Sequence, residues 1–520
     1  MSMLSSAQQP VTAQAVEVLT QLHRKGVKLW EEEGRLRYRV VKGTLNRDDL
    51  QTLSEHKGEI LALLASMQLH SLSIKPREQM GLLPLSYSQL SHWHRYRLGE
   101  RQHLRQLACA TRLSGLLCIK ALRDSFASLF QRHDALRTSI HVIDGTPLQR
   151  IDRVANHELE VLDLSALSAD SRDAEVRRHV ESFIGQLIDV TTAPLFGALL
   201  LRLSDHEHVL VVTMEHMISD GISLNIFMTE LFEIYEGFAL HRTVALPSLP
   251  LQFPDYACWQ RDAERGWIEA RARQLSRYLS STAPVRFPAE NGEHPSKNGW
   301  GVAPVTIDQQ LRHNLRSWCQ KNGVTLAMTV FAAYAALILR WCKSDEMVIR
   351  HVADGRITAP LQNAIGYFAY LMFLKVSVQQ EDTPRELIRR VTEEYCSAQE
   401  HPHLGCIEAQ PSLPEFGRGF GFNWVPAAER IVETRAARSL QRSPFSFEHP
   451  ILHNFDQDLQ PFALFYDTEE GITGGVHYPR AHISHRTMSR FSRCLVELLA
   501  AFVARPEIRI VDIPLEPPMS

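Results

Sequence analysis

The residues best suited to acid–base chemistry fall in one stretch, Met214-Glu215-His216-Met217-Ile218-Ser219-Asp220-Gly221-Ile222-Ser223. An imidazole changes charge near neutral pH, so His216 is the candidate proton acceptor. The alternative for a lone histidine here is a satisfied structural hydrogen bond. Asp220, four residues on, could cap a following helix through its backbone amides. Gly221 would let a substrate approach the backbone closely.

Two elements must hold these side chains. The mostly apolar run from His208 to Met214 reads as a buried strand, and Ile222 to Tyr235 has helical periodicity. A short turn between a strand and a helix is a rigid place for reactive groups.

The rest of the chain limits the function classes. At 520 residues it exceeds one ordinary domain. A hydrophobic fraction of 44% and a charged fraction of 22% are those of a soluble globular protein. A formal net charge of −3 gives no global attraction to nucleic acid or an anionic membrane. The N-terminus has no basic segment leading into an apolar core, so no signal peptide is expected. The longest apolar stretch, Leu326 to Leu339, is too short to span a bilayer and reads as a core helix. The eight cysteines form no C-x-x-C pair, which points to neither zinc nor disulfides and to a cytoplasmic setting. His401-Pro402-His403 lacks a companion ligand at a familiar spacing, so no metal site is expected. Gly419-Phe420-Gly421-Phe422-Asn423-Trp424 lacks the Lys-Ser or Lys-Thr of a phosphate loop.

The chain divides into a small unit at residues 1–66, a linker at 67–83, a lobe at 84–261, a bridging helix at 262–300 and a second lobe at 301–520. The fold class is α/β, because both large units alternate helix and strand. In the small unit, Ala15, Val18, Leu19 and Leu22 share a helical face. Val27 to Trp30 and Arg35 to Val40 then read as a hairpin about a Glu33-Gly34 turn, and two helices follow, in the order αββαα. The hairpin sets Leu36, Tyr38 and Val40 against Arg35, Arg37 and Arg39. The basic row reads either as a solvated face or as an edge that receives an acidic peptide by strand addition. A helix carrying Leu116, Ile119, Leu122, Phe126, Leu129 and Phe130 is expected in the first lobe.

The small unit resembles the TubC-type N-terminal docking domains of nonribosomal peptide synthetase and hybrid assembly lines. The likeness rests on Gly26-Val27-Lys28-Leu29-Trp30, Gly34-Arg35-Leu36-Arg37-Tyr38 and Lys42-Gly43-Thr44-Leu45. It implies that the hairpin captures the C-terminal segment of an upstream partner. From Pro84 onward the chain resembles condensation domains of nonribosomal peptide synthetases. Five segments carry this in order: Ser86-Tyr87-Ser88-Gln89 with Trp93; Arg132-His133-Asp134-Ala135-Leu136-Arg137-Thr138; Met214 to Ser223; Phe253 to Gln260; and Ile365-Gly366-Tyr367-Phe368.

This resemblance implies two chloramphenicol acetyltransferase-like lobes in a V-shape with a central tunnel. It implies acyl transfer from a phosphopantetheine thioester on a carrier protein to an amine or alcohol, giving an amide or ester. His216 would be catalytic, with Glu215, Asp220, Gly221 and Ser223 completing the motif. Arg137 would form a structural ion pair with Asp220. Arg35, Arg37 and Arg39 would dock the partner. No bound cofactor is implied, since the phosphopantetheine arrives on an acyl or peptidyl carrier protein. No adenylation or carrier domain is expected in the chain, so both substrates would come from elsewhere and chain release is the implied step. Such a step belongs to natural product biosynthesis, antibiotics included. An acyl-CoA-dependent acyltransferase of the same fold and a catalytically degenerate scaffold are the alternatives, with epimerisation ranked below them.

Two departures from the family bear on these expectations. Glu215 stands where the first of two histidines is usual, a position read as mainly structural, with its side chain directed away from His216. Ala369-Tyr370-Leu371-Met372 stands where polar residues are usual, which predicts a more apolar substrate channel there.

Overall fold

The computed structural model describes residues 18, 28–32, 35–39, 47–61, 74–77, 81–97, 106–153, 158–262, 278–288, 299–356, 358–399, 419–425, 440–444, 459–468 and 471–515. The first helix of the small unit (apart from Val18), most of the bridging helix and His401-Pro402-His403 lie outside the described residues. In the small unit, β1 (Lys28–Glu32) pairs antiparallel with β2 (Arg35–Arg39), and the expected Glu33-Gly34 turn lies outside the described residues. Arg35, Arg37 and Arg39 stand opposite Glu32, Trp30 and Lys28 in register. Helix α1 (Arg47–Glu55) and a helical stretch at 57–61 follow, with Val18, Leu53 and Ile60 buried.

In the first lobe, a small sheet joins β3 (Leu82–Pro84), β5 (Thr138–Ile143) and β6 (Thr146–Ile151). The main sheet runs β14-β4-β9-β8-β7, from β4 (Gln106–Ser114), β7 (Glu160–Asp163), β8 (Phe196–Ser204), β9 (Glu207–Glu215) and β14 (Gln441–Pro444). β9 is the middle strand and is buried from His208 to Glu215, hence its nearly unbroken apolar sequence. Two helices pack beside it, α3 (Ile119–Arg132) and α5 (Gly221–Ala239), sharing a core of Phe126, Phe130, Phe196 and Phe227. The expected helix start at Leu116 is corrected. Gly115 turns the chain at φ 128°, Cys118 caps the helix, and Leu116 is left 69% exposed.

The second lobe holds a six-stranded sheet in the order β10-β16-β15-β13-β11-β12. These strands are β10 (Trp300–Ile307), β11 (Glu346–Ala353), β12 (Tyr370–Ser377), β13 (Gly421–Val425), β15 (Phe462–Thr468) and β16 (Gly471–Pro479). Its central helix, α8 (Leu326–Cys342), is apolar all round because it is enclosed by the sheet and by α10 (His485–Ala504). Among the described residues, no single helix is long and apolar enough to cross a membrane. Gln309–Asn322 and Leu326–Cys342 reach that length only together, bent by 103°.

The linear division of the chain is crossed in two places. β14, from the second half, pairs antiparallel with β4 and completes the first lobe's sheet. Its Arg442 guanidinium lies 4.6 Å from the centre of the Phe232 ring. Within the expected linker, Ile74 packs on the cluster of Phe253, Tyr256, Trp259 and Phe368. Arg77 there binds Asp255 at 2.8 Å and also pairs with Asp134. Residues 74–77 therefore belong to the folded body.

Candidate functional site

The site begins where β9 ends. Glu215 closes the strand, His216–Ile218 form one 3-10 turn, and Asp220 caps α5 by accepting from Ser223 N at 2.8 Å. The turn is fastened from below. Ser219 Oγ donates to Glu215 O at 2.9 Å, and Gln89 Nε2 donates to Met217 O at 2.8 Å. Gln89 also explains the opening motif. Its Oε1 accepts from Ser86 N at 2.9 Å while Ser86 Oγ accepts from Gln89 N at 3.1 Å, a capping box on helix α2 (Tyr87–Arg97). The remaining amide hydrogens are free to hold the reactive turn.

His216 is partly exposed, whereas Glu215 and residues 217–220 are buried. Its Nδ1 lies 2.8 Å from Ser219 O. A carbonyl only accepts, so Nδ1 carries a hydrogen, and in the neutral ring the lone pair is then on Nε2. That is the tautomer a general base needs. The ring is flanked by Tyr367 at 4.7 Å and His92 at 5.8 Å, centre to centre.

Asp220 faces the other lobe. Arg356 grips both of its oxygens, Nη2 to Oδ1 at 2.9 Å and Nη1 to Oδ2 at 3.1 Å. The backbone amides of Phe368 and Ala369 reach Oδ2 at 3.0 and 3.1 Å. Burial alone would raise the Asp220 carboxyl, but the Arg356 charge and the bonds from Arg356 and Ser223 outweigh it and hold it below the usual carboxylate range. The expected partner, Arg137, is therefore corrected. Arg137 ends the 3-10 turn Asp134–Arg137, where i,i+3 spacing places it on Asp134, and its Nε donates to Phe130 O at 2.8 Å. The cation paired with Asp220 comes from the second lobe.

Ser223 and Gly366 complete the junction. Ser223 Oγ accepts from Gly366 N at 3.0 Å and from Arg356 Nη2 at 2.8 Å, and has Gly366 O and Asp220 Oδ1 at 2.8 Å for its one hydrogen. A Cβ on Gly366 would sit 2.2 Å from the Phe253 ring, so that motif position must be glycine. Gly221 differs, because a Cβ there would meet nothing within 4 Å. Gly221 is exposed, so the packing leaves room there.

The other motif residues act as scaffold. Arg132 pairs bidentately with Glu230 at 2.9 and 3.0 Å, and His133 Nε2 lies 2.8 Å from the same carboxylate. The apolar-channel expectation fails for half of its stretch. Tyr370 and Met372 turn into the second-lobe core, because β12 alternates, while Ala369 and Leu371 stay partly exposed. Sequence reasoning missed Arg356, His92 and Arg77. Their partners are 178 to 57 residues away for Arg77 and 136 for Arg356, and no local pattern announces such pairs. Among the described residues, no cluster of three or more His, Cys, Asp or Glu could hold a metal ion.

Residues 79–518 match the Condensation domain family and residues 16–65 the TubC N-terminal docking domain. A linear gramicidin synthase polypeptide of Brevibacillus parabrevis is 29% identical over 488 residues, which is 90% of this chain but 9% of that synthase. This chain therefore spans less than a tenth of that relative's length. Two solved structures show the fold alone. The X-domain from teicoplanin biosynthesis superposes with a TM-score of 0.71 at 23% identity, covering 85% of this chain and 100% of that one. A structure described as the molecular basis for condensation domain-mediated chain release from the enacyloxin polyketide synthase gives 0.62 at 19% identity, covering 98% and 100%.

Proposed function

We propose that this chain, which belongs to the condensation domain family and carries a TubC N-terminal docking domain, transfers an acyl group from the phosphopantetheine thioester of a carrier protein to an amine or alcohol. The observation that carries the reading is the partly exposed His216 imidazole, whose Nδ1 is fixed on Ser219 O at 2.8 Å, which in the neutral ring puts the lone pair on Nε2. The nucleophile's lone pair attacks the thioester carbonyl while its proton passes to Nε2. The tetrahedral intermediate then expels the thiolate, which takes that proton back from the imidazolium. One C–S bond breaks, one C–N or C–O bond forms, and the enzyme is unchanged. The thioester is already activated, so orientation and management of one proton are the main requirements.

The phosphopantetheine belongs to the partner and arrives as substrate. The β1–β2 hairpin is a two-stranded sheet and offers outer edges to an extended peptide. Arg35, Arg37 and Arg39 at alternate positions of β2 suit an acidic one. Docking would raise the local concentration of the carrier. The enacyloxin comparison motivates the finer reading, release of the finished chain onto a soluble nucleophile.

The test is reconstitution with acyl carrier protein and candidate amines and alcohols, followed by mass spectrometry. An amide or ester made by wild type and lost in H216A supports the reading. Release only as free acid, with and without nucleophile, sinks it.

A further inference from the structure

The Glu215 side chain is wholly buried one residue before His216, and its Oε1 faces His92 Nε2 at 3.5 Å. His92 lies on α2 and is 8% exposed. Its ring meets the His216 ring at 5.8 Å and 50°, and the Tyr367 ring at 5.9 Å and 86°. Tyr367 closes the triangle against His216 at 4.7 Å. From helix α6 (Phe253–Asp262), Gln260 and Arg261 reach α2. Both are engaged at Tyr87, more than a turn from His92.

A buried carboxylate is disfavoured as an anion unless a cation accompanies it. Imidazole can supply that cation by taking a proton near neutral pH. At 3.5 Å His92 and Glu215 are within ion-pair reach. We propose that they act as one positioning unit for His216. Glu215 fixes His92 through that 3.5 Å contact. His92 and Tyr367 then bracket the catalytic ring, so that Nδ1–H stays on Ser219 O and Nε2 stays directed at the nucleophile. The kinetic consequence rests on the acyl-transfer reading, whereas the effect on the His216 tautomer does not.

The experiment uses E215Q, H92L and the double variant of the full chain. Each single change is expected to lower kcat about ten-fold, with KM for the acyl carrier within about two-fold. The double variant should lose about ten-fold rather than a hundred-fold, because residues acting as a unit are not additive. The second readout needs no turnover. In isotope-labelled histidine spectra, with His216 identified by its absence in H216A, wild type should show one Nδ1–H tautomer and both single variants a mixture. H92F, which keeps a ring in place but cannot pair with Glu215, covers the case in which H92L does not fold and should also give the mixture. An unchanged tautomer in these variants, or multiplicative losses in the double variant, overturns the proposal. A chain inactive on every acyl carrier that still shows the tautomer change would sink the acyl-transfer reading and leave this one standing.

Discussion

Asp220 and Arg356 lie 136 residues apart and meet through two hydrogen bonds across the lobe junction. The pair is almost fully buried, at 0% side-chain exposure for Arg356 and 3% for Asp220. It locks the start of the helix after His216 to the loop that carries Tyr367.

Removing one member should leave the other buried and charged. D220A is expected to cost about 3–5 kcal/mol of stability, read by denaturant titration. A double-mutant cycle should show strong coupling of Asp220 to Arg356, and coupling of Asp220 to Arg137 within about 0.5 kcal/mol of zero. Strong coupling to Arg137 would contradict the pairing described above.

The segment before the first lobe should not behave as a free linker. A chain beginning at Ile74 keeps Arg77 on Asp134 and Asp255, and a chain beginning at Gly81 loses it. The shorter chain should be less stable by about 3 kcal/mol, and R77M in the full chain should reproduce the loss. Any test of docking by truncation must therefore cut before Ile74. Equal melting temperatures for the two truncated chains would contradict this.

Gly221 should separate folding from turnover. G221A meets no neighbour and replaces glycine at a helix start, so stability should hold or rise by up to about 1 kcal/mol. Activity should fall, because the substrate is expected to approach the exposed Gly221 backbone closely. Unchanged kinetics would place the substrate elsewhere.

Acid should weaken the second lobe before it reaches the carboxylates. Burial holds both His351 and His477 down to about 4, against an ordinary value of 6.5. Between those values the unfolded chain binds the extra protons, so stability falls as pH drops from 6.5 towards 4, by on the order of 3 kcal/mol for each residue. The depressed Asp220 adds its own loss only below about pH 4. His351 sits among Phe331, Tyr395 and Phe422, so H351L should flatten the curve of melting temperature against pH in that window. An unaltered slope would argue against it.

The sequence showed some of this plainly and hid the rest for physical reasons. The strand from Glu207 to Glu215 and the helix from Leu326 to Cys342 were legible because burial on both faces, or all round, writes unbroken apolar runs. The reactive turn was legible because its residues are contiguous. Leu116 misled because it continues the apolar spacing one turn beyond a cap that only the fold selects. Tyr370 and Met372 misled because strand alternation sends half of any run into the core. Arg356, Arg77 and His92 were illegible because each partner is set by lobe packing rather than by local spacing.

The borrowed strand Gln441–Pro444 has a bearing on biogenesis. Until the ribosome has passed residue 444, Gln106–Ser114 lacks the neighbour that Gln441–Pro444 supplies on one side. Its bare amides and carbonyls form an adhesive rim during synthesis. Nascent chains stalled before that point should therefore be the ones that clump and recruit chaperones.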